Sequence, residues 1–124
     1  MLYAVICYNS EEMVFSWTKE EDDAVMARLH AVHEKWGDKL KPSLRLMPTS
    51  AATSFHKAKD MVIDGPFTET KEQLLGFYII DVKDLEEVTR FVRELGAANP
   101  GGGYEMRPVL FYQPGAPIEK VGAQ

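Results

Sequence analysis

The densest group of titratable side chains is the segment DGPFTETKE, residues 64–72, which lies between two apolar runs. Its Asp-Gly-Pro opening is typical of a tight turn, because glycine adopts positive φ freely and proline fixes the φ that follows. Asp64 opens the turn, and the carboxylates of Glu69 and Glu72 flank the ammonium group of Lys71. Such a group beside a buried strand end can bind a polar ligand or shift a carboxylate pKa. The alternative is a charged loop that only leads into the next strand.

The three histidines are candidate acid or base groups, because an imidazole beside a carboxylate can act as an acid or a base near neutral pH. At the helical repeat of about 100° per residue, His33 falls at the edge of the apolar stripe that starts at Val25, and His30 points more toward solvent. His56, in a short strand, is a weaker candidate. Among the three, His33 is therefore the main candidate for an acid or base. A surface histidine without a partner is the alternative.

No metal or other cofactor is expected. His30 and His33 lie three residues apart and can share one helix face, but no His-Glu-x-x-His or cysteine-rich pattern accompanies them.

Tyr78 and Arg107 are further ligand-binding candidates, beside Glu69, Lys71 and Glu72. A phenol donates a hydrogen bond and a guanidinium binds carboxylates, so both side chains can line a cavity at the sheet face. The alternative is interface packing for Tyr78 and an ion pair at the interface rim for Arg107.

Short apolar runs and two amphipathic stripes must position these residues. Runs bounded by turn residues predict strands at 2–8, 44–47, 52–56, 61–64, 74–82 and 104–112. Two helices are predicted, opened by capping boxes at Thr18 and Asp84 and ended by Gly37 and Gly96. The order β, α, several short β, long β, α, β predicts a ferredoxin-like α+β sandwich, a split βαβ arrangement with extra short strands in the middle.

Two helices can cover only one face of such a sheet. The other face carries alternate residues of the long strand, either Leu75, Phe77 and Ile79 or Gly76, Tyr78 and Ile80. Either set is too apolar to stay in water, so we expect a homodimer with the two sheets face to face. A glycine at position 76, inside the long strand, indicates one of two things. Either a ligand or the partner sheet needs the space, or the strand has a β-bulge there.

The composition is typical of one soluble globular domain: 124 residues, 45% apolar and 27% charged. A net charge of -5, with 14 basic residues among 19 acidic ones, argues against nucleic acid as a partner. Cys7 is the only cysteine, which excludes an intramolecular disulfide. No apolar run reaches the roughly 18 residues that span a bilayer, and no basic leader precedes one. We predict no membrane association, a cytoplasmic location, one domain over 1–112 and a flexible or dimer-contacting tail over 113–124.

The segment DGPFTETKEQLLGFYIIDV, residues 64–82, resembles the signature of the DGPF family, which is related to the YCII-like proteins. The strand YEMRPV at 104–109 is also similar to that family, and the N-terminal half matches it in outline. The resemblance implies a dimeric α+β barrel, in agreement with the burial argument. It implies no settled reaction, since most such proteins are of unknown function and some lie beside or are fused to extracytoplasmic-function sigma factors. For YCII-like relatives it implies enzymatic activity through a His and Asp pair. Asp64 is the matching aspartate and His33 is the candidate histidine, so we predict these two residues as a catalytic pair.

Two functions follow as hypotheses. The first is a small enzyme without cofactor that transfers a proton on a small molecule, with Asp64 and His33 as acid and base. The second is a non-catalytic dimeric module that binds a metabolite or a protein, including one in sigma-factor signalling. Replacement of Asp64 by Asn abolishes turnover under the first hypothesis and changes stability or partner binding under the second.

Overall fold

The computed structural model describes residues 1–118, which form a four-stranded antiparallel sheet, a separate two-stranded hairpin and three α-helices. The strands are β1 Leu2–Asn9, β2 Leu40–Arg45, β3 Thr53–His56, β4 Met61–Asp64, β5 Gln73–Asp81 and β6 Gly103–Pro108. The α-helices are α1 Glu11–Val14, α2 Lys19–Trp36 and α3 Leu85–Ala98. The sheet has the order β2-β5-β1-β6, and β3 and β4 form the inserted hairpin. The predicted ferredoxin-like α+β fold is therefore confirmed.

Helix α2 begins and ends where the sequence predicts. The Thr18 hydroxyl accepts a bond of 3.1 Å from the Glu21 amide, and the Glu21 carboxylate accepts one of 3.2 Å from the Thr18 amide. Gly37 ends the helix with φ of 48°, a conformation that favours glycine. Val25 in the apolar stripe is buried. This helix therefore packs one face on the sheet.

Helix α3 begins as predicted but ends later. The Asp84 side chain accepts from the Glu87 amide at 2.9 Å. The prediction that Gly96 ends the helix is wrong, because α3 continues to Ala98. Ala98 is buried, and its carbonyl accepts a bond of 3.0 Å from Arg28 Nε on α2. This contact between the two helices supports the extra residues.

Strand β2 lies earlier in the chain than the predicted 44–47. Pairing with β5 decides its position, since Leu40 lies opposite Ile80 and Arg45 opposite Gly76. Residues 41–43, Lys-Pro-Ser, interrupt the apolar pattern, so a prediction based on apolar runs did not include them.

Strand β6 is shorter than the predicted 104–112. It ends at Pro108 because its partner β1 begins at Leu2, whose carbonyl accepts a last bond from the Val109 amide at 2.9 Å. The predicted tail follows, and residues 119–124 of it lie outside the described residues.

The core lies between the sheet and the two long helices. Its buried members come from β1, β5, the turn after β5 and α3: Tyr3, Val5, Ile80, Val82, Val88, Phe91 and Leu95. Tyr78 and Trp36 both contact the Phe91 ring edge-on, each at a centroid distance of 5.4 Å. Gly76, Tyr78 and Ile80 therefore share the helix-covered face, and Phe77 and Ile79 lie on the opposite, open face.

Gly76 is required by the close approach of β2. A Cβ atom at this position would overlap the Leu44 carbonyl oxygen. The register of β1 with β5 also shifts here, since Cys7 pairs with Gly76 and Tyr8 with Leu74. The bulge and the close approach thus occur at the same place.

None of the helices within residues 1–118 combines the length and apolar character needed to span a bilayer.

Candidate functional site

A cavity of about 290 Å³ lies between α2 and the helix-covered face of the sheet. Most of its wall is apolar and comes from α1, α2, β5 and the loop before α2: Val14, Trp17, Val25, Met26, Leu29 and Leu75. A few polar side chains from α2, β2, β5 and β6 complete it. Small-molecule sites combine these features, an apolar wall with a few placed polar groups. We therefore take this cavity as the candidate site.

Two residues that the sequence singled out for separate roles, His33 and Tyr78, meet in this cavity. His33 Nε2 lies 2.7 Å from the Tyr78 hydroxyl, and the ring centroids are 5.2 Å apart. As predicted, His33 is half-buried at the edge of the α2 stripe, whereas His30 is exposed and pairs with Glu34 at 3.2 Å. The Phe91 ring holds Tyr78 from the core side. Contact with Phe91 therefore fixes the position of the Tyr78 ring that bonds to His33.

The protonation states of this pair follow from burial. Burial lowers the pKa of the His33 imidazole below its usual value of 6.5, and the neighbouring His30 acts in the same direction. Burial raises the pKa of the Tyr78 phenol. At neutral pH the imidazole is therefore neutral and the phenol protonated. The Tyr78 hydroxyl donates to His33 Nε2, and the ring proton is assigned to Nδ1.

Cys7 and Tyr104 lie side by side farther along the cavity wall, paired across β1 and β6. Burial raises the pKa of the Cys7 thiol to about 12, so it is not a nucleophile at neutral pH. Burial also raises the pKa of Tyr104, although a bond of 3.4 Å from Asn99 Nδ2 to its hydroxyl partly opposes this. Tyr104 and Tyr78 are thus two protonated phenols in one cavity.

The outer end of the cavity is charged. Arg45 Nη2 lies 3.9 Å from Asp22 Oδ1, and these side chains are 46% and 38% exposed. The Arg45 guanidinium also lies 5.8 Å from the centroid of the Phe15 ring, and its Nη1 lies 3.7 Å from Met26 Sδ. The mouth therefore carries one cation held by an aromatic ring, a thioether and a long ion pair.

Asp64, the predicted partner of His33, lies elsewhere in the chain. It is the last residue of β4, is exposed, and pairs across the hairpin with Thr53. It is not among the residues within 1–118 that line the cavity, and His33 Nε2 is bonded to Tyr78. The pairing of Asp64 with His33 stays a prediction.

The turn after Asp64 has the predicted backbone but an exposed charged run. Gly65 has φ of 113°, and its carbonyl accepts a bond of 2.7 Å from the Ser54 hydroxyl. The His56 imidazole stacks on Phe67 at a centroid distance of 4.9 Å. Within residues 1–118, no ion pair involves the predicted ligand-binding side chains of this turn, Glu69, Lys71 and Glu72.

Hydrogen bonds attach this turn to the wall of the cavity. The Gln73 side chain donates to the Thr70 carbonyl and accepts a bond of 2.9 Å from the Glu11 amide. The Glu11 carboxylate in turn accepts bonds of 2.7 Å from the amide and hydroxyl of Thr49. Because Glu11 begins α1, whose Val14 lines the cavity, the turn helps to position that wall.

Arg107 lies on the open face of the sheet and forms an ion pair with Glu105. It is not among the described cavity residues, and its ligand-binding role stays a prediction. Among residues 1–118 there is no cluster of three or more His, Cys, Asp or Glu that could hold a metal ion.

Sequence reasoning missed five polar residues of the cavity: Asp22, Ser43, Arg45, Asn99 and Tyr104. Alternation along β2 and β6 would have placed Arg45 and Tyr104 on one face of their strands. Only the register with β5 and β1 tells which face that is.

Comparison with known proteins finds a family and a relative. A family model described as YCII-related domain matches residues 1–112. The chain is 53% identical over 120 residues to an uncharacterized protein of Rhizobium meliloti (strain 1021). This match covers 93% of the present chain and 97% of the relative. The relative's name states no activity, so the chemistry must be argued from the cavity.

Proposed function

The chain belongs to the YCII-related domain family, and we propose that it is a homodimeric enzyme that transfers a proton to or from a small, largely apolar molecule without a cofactor. The observation that carries the proposal is the 2.7 Å hydrogen bond between His33 Nε2 and the Tyr78 hydroxyl in the wall of an apolar cavity. An imidazole that burial keeps neutral at the working pH is suited to general-base catalysis.

The proton follows the existing hydrogen bond. The Tyr78 oxygen accepts a proton from an acidic C–H or O–H group of the substrate, and its own proton passes to His33 Nε2. The substrate becomes an anion beside the new imidazolium, which stabilises it, and the Tyr104 hydroxyl is a second donor in the same cavity. Return of the proton to another atom of that anion completes an isomerisation and restores both side chains.

Deuterium uptake tests this step without knowledge of the natural substrate. The protein is incubated in D₂O with small carbon acids such as acetylacetone and phenylpyruvate, and exchange is followed by proton NMR. We expect exchange above the buffer rate with at least one of them, and loss of that excess in His33→Gln and Tyr78→Phe. Exchange at the buffer rate across the whole panel would contradict the proposal.

The homodimer is supported by the open face of the sheet. Half-buried side chains on the two central strands form an apolar surface there: Leu2, Ala4, Ile6, Tyr8, Phe77 and Ile79. A contiguous apolar surface of this kind is usually covered. A second copy of the sheet, packed about 10 Å away, would cover it symmetrically.

Sedimentation of two matched variants tests the dimer. Ala4→Asp places a charge on the open face, and Ala24→Asp places the same charge on the exposed side of α2. We expect a dimer for the wild type and Ala24→Asp and a monomer for Ala4→Asp. A monomeric wild type would contradict this part of the proposal.

A second candidate function is a non-catalytic dimeric module that binds a metabolite or a protein, including one in sigma-factor signalling. The hairpin of β3 and β4 favours it, because Phe55, Val62 and Phe67 are exposed there and take no part in proton transfer. Ligand binding in the cavity without exchange of any carbon acid would favour this second function.

A further inference from the structure

We infer that the ligand of this cavity is a small carboxylic acid whose carboxylate binds the Arg45 guanidinium at the mouth and whose apolar body extends inward toward His33 and Tyr78. The inference rests on the proposed function in taking His33 and Tyr78 as the reacting end. It adds the chemical class of the substrate.

The Arg45 guanidinium is positioned but has unused donors. Within residues 1–118 its contacts are the Met26 thioether at 3.7 Å, the Phe15 ring at 5.8 Å and Asp22 Oδ1 at 3.9 Å. The last distance is too long for a hydrogen bond, which needs about 2.7–3.2 Å. Since a guanidinium has five N–H donors in a planar fork, one edge can donate two parallel hydrogen bonds to a carboxylate.

Arg28, Arg90 and Arg107 already donate to an oxygen atom or pair with a carboxylate. Arg28 Nε donates to the Ala98 carbonyl at 3.0 Å, and Arg107 pairs with Glu105. Neither is among the described residues that line the cavity. Arg45 therefore differs in combining a place at the cavity with unsatisfied donors.

The charge at the mouth permits an anion. Asp22 is the one carboxylate among the described cavity residues, and its distance from Arg45 leaves the guanidinium only loosely neutralised. Asp23 is directed to Lys19, with which it forms a pair at 2.8 Å. A ligand carboxylate therefore meets Arg45 with one acidic neighbour, at 3.9 Å, and adds the hydrogen bonds that Asp22 does not make.

The register of β2 with β5 gives the distance that the ligand must span. Ser43 pairs with Tyr78 and Arg45 pairs with Gly76, so Arg45 lies two residues, or about 7 Å, farther along the sheet. Gly76, opposite Arg45 in this register, lines the same cavity. The cavity of about 290 Å³ holds roughly ten water-sized groups. The fitting class is thus a carboxylic acid of roughly ten non-hydrogen atoms with an aromatic or branched apolar body.

Titration calorimetry with phenylacetate and its uncharged counterpart 2-phenylethanol tests the inference. The variants are Arg45→Gln, Arg45→Lys and, as a control with the same loss of charge, Arg93→Gln on the exposed face of α3. Chemical-shift changes of the His33 ring protons report whether the ligand occupies this cavity, and circular dichroism reports folding.

We expect the wild type and Arg93→Gln to bind phenylacetate at least about tenfold more tightly than 2-phenylethanol, as a charge-assisted pair provides. Arg45→Gln should remove that preference, and Arg45→Lys should restore part of it because the charge returns without the fork. Equal binding of the two compounds, absence of phenylacetate binding up to its solubility, or an equal effect of Arg93→Gln would overturn the inference.

Binding and proton transfer are measured separately, so the two proposals fail separately. Arg45-dependent phenylacetate binding without deuterium exchange supports the ligand class and contradicts the enzyme. Exchange of acetylacetone without any preference for carboxylates contradicts the ligand class and supports the enzyme.

Discussion

The cavity and the turn DGPFTETKE hold titratable groups in opposite settings. In the cavity, His33 and Tyr78 are half-buried and bonded to each other at 2.7 Å, and burial shifts both pKa values toward the uncharged forms. In the turn, every charged side chain is exposed, and so is the neighbouring Phe67, at 70%. Charge density along the sequence therefore did not indicate where the environment changes the chemistry of a side chain.

The difference also separates two kinds of contribution to a site. The turn attaches to α1 through Gln73 and Glu11 and so helps to position the cavity wall. The cavity itself provides the apolar surroundings in which a neutral imidazole can act as a base. A segment that identifies the family is thus distinct from the residues that would contact a substrate.

The largest expected difference is between the exchange rates of variants at His33 and at Asp64. His33→Gln should lower catalysed proton exchange by about 100-fold or more, the usual contribution of a general base. Asp64→Asn should change the rate by less than about threefold, since Asp64 lies on the hairpin and not in the cavity wall. Exchange rates measured by NMR in D₂O decide between them. An equal loss of exchange rate in Asp64→Asn would support the catalytic pair of Asp64 and His33 and contradict a purely structural role for the turn.

A second comparison replaces one glycine in each region. Gly76→Ala should lower the free energy of unfolding by about 2 kcal/mol, because its Cβ overlaps the Leu44 carbonyl oxygen and β2 must shift. Gly65→Ala should lower it by about 1 kcal/mol, the strain of a side chain at φ of 113° in open space. Urea unfolding provides both values. Gly103→Ala, which meets no atom within 4 Å and has no positive φ, is the control and should be nearly neutral.

The pH dependence of exchange should follow His33. The base is active when neutral, so the rate should rise with pH through the region below 6.5 and become constant above it. The folded pKa lies below the unfolded one, so His33 also reduces stability as pH falls through 6.5 toward the folded pKa. NMR titration of the His33 ring measures this. A His33 pKa above 6.5 would contradict the role of burial.

The smallest effects belong to the charged run of the turn. Glu69→Gln and Lys71→Gln should each change the melting temperature by less than about 3 °C, as isolated exposed charges usually do. Scanning calorimetry at low and high salt checks this. A large loss on either substitution would mean that these side chains contact something beyond the single described chain, and a second copy in the proposed homodimer is the first place to look.

Much of the fold follows from local patterns. The capping boxes and apolar stripes located both long helices, and the alternating runs located β1, β3, β4 and β5 closely. Three errors, at β2, at the end of β6 and at the end of α3, arose where a contact with a distant segment overrode a local signal. The short helix α1 was not predicted at all.

The candidate site was predictable in its parts and not in its assembly. The helical repeat placed His33 at the edge of a buried stripe. The phenol of Tyr78, on the central strand, was a possible hydrogen-bond donor. Neither pattern could join them, since 45 positions separate them in the chain. Arg45 lies within the predicted strand 44–47, but only the register of β2 with β5 shows that it faces the cavity.

By itself the sequence determined the order of elements, the family and the residues able to exchange protons, because periodicity, capping and side-chain chemistry are local properties. Tertiary structure alone decided that Gly76, Tyr78 and Ile80 face the helices, that His33 meets Tyr78 and that Arg45 lies at the mouth of their cavity. The physical reason is that a one-residue change of register moves a side chain to the other face of the sheet, and only long-range pairing sets the register.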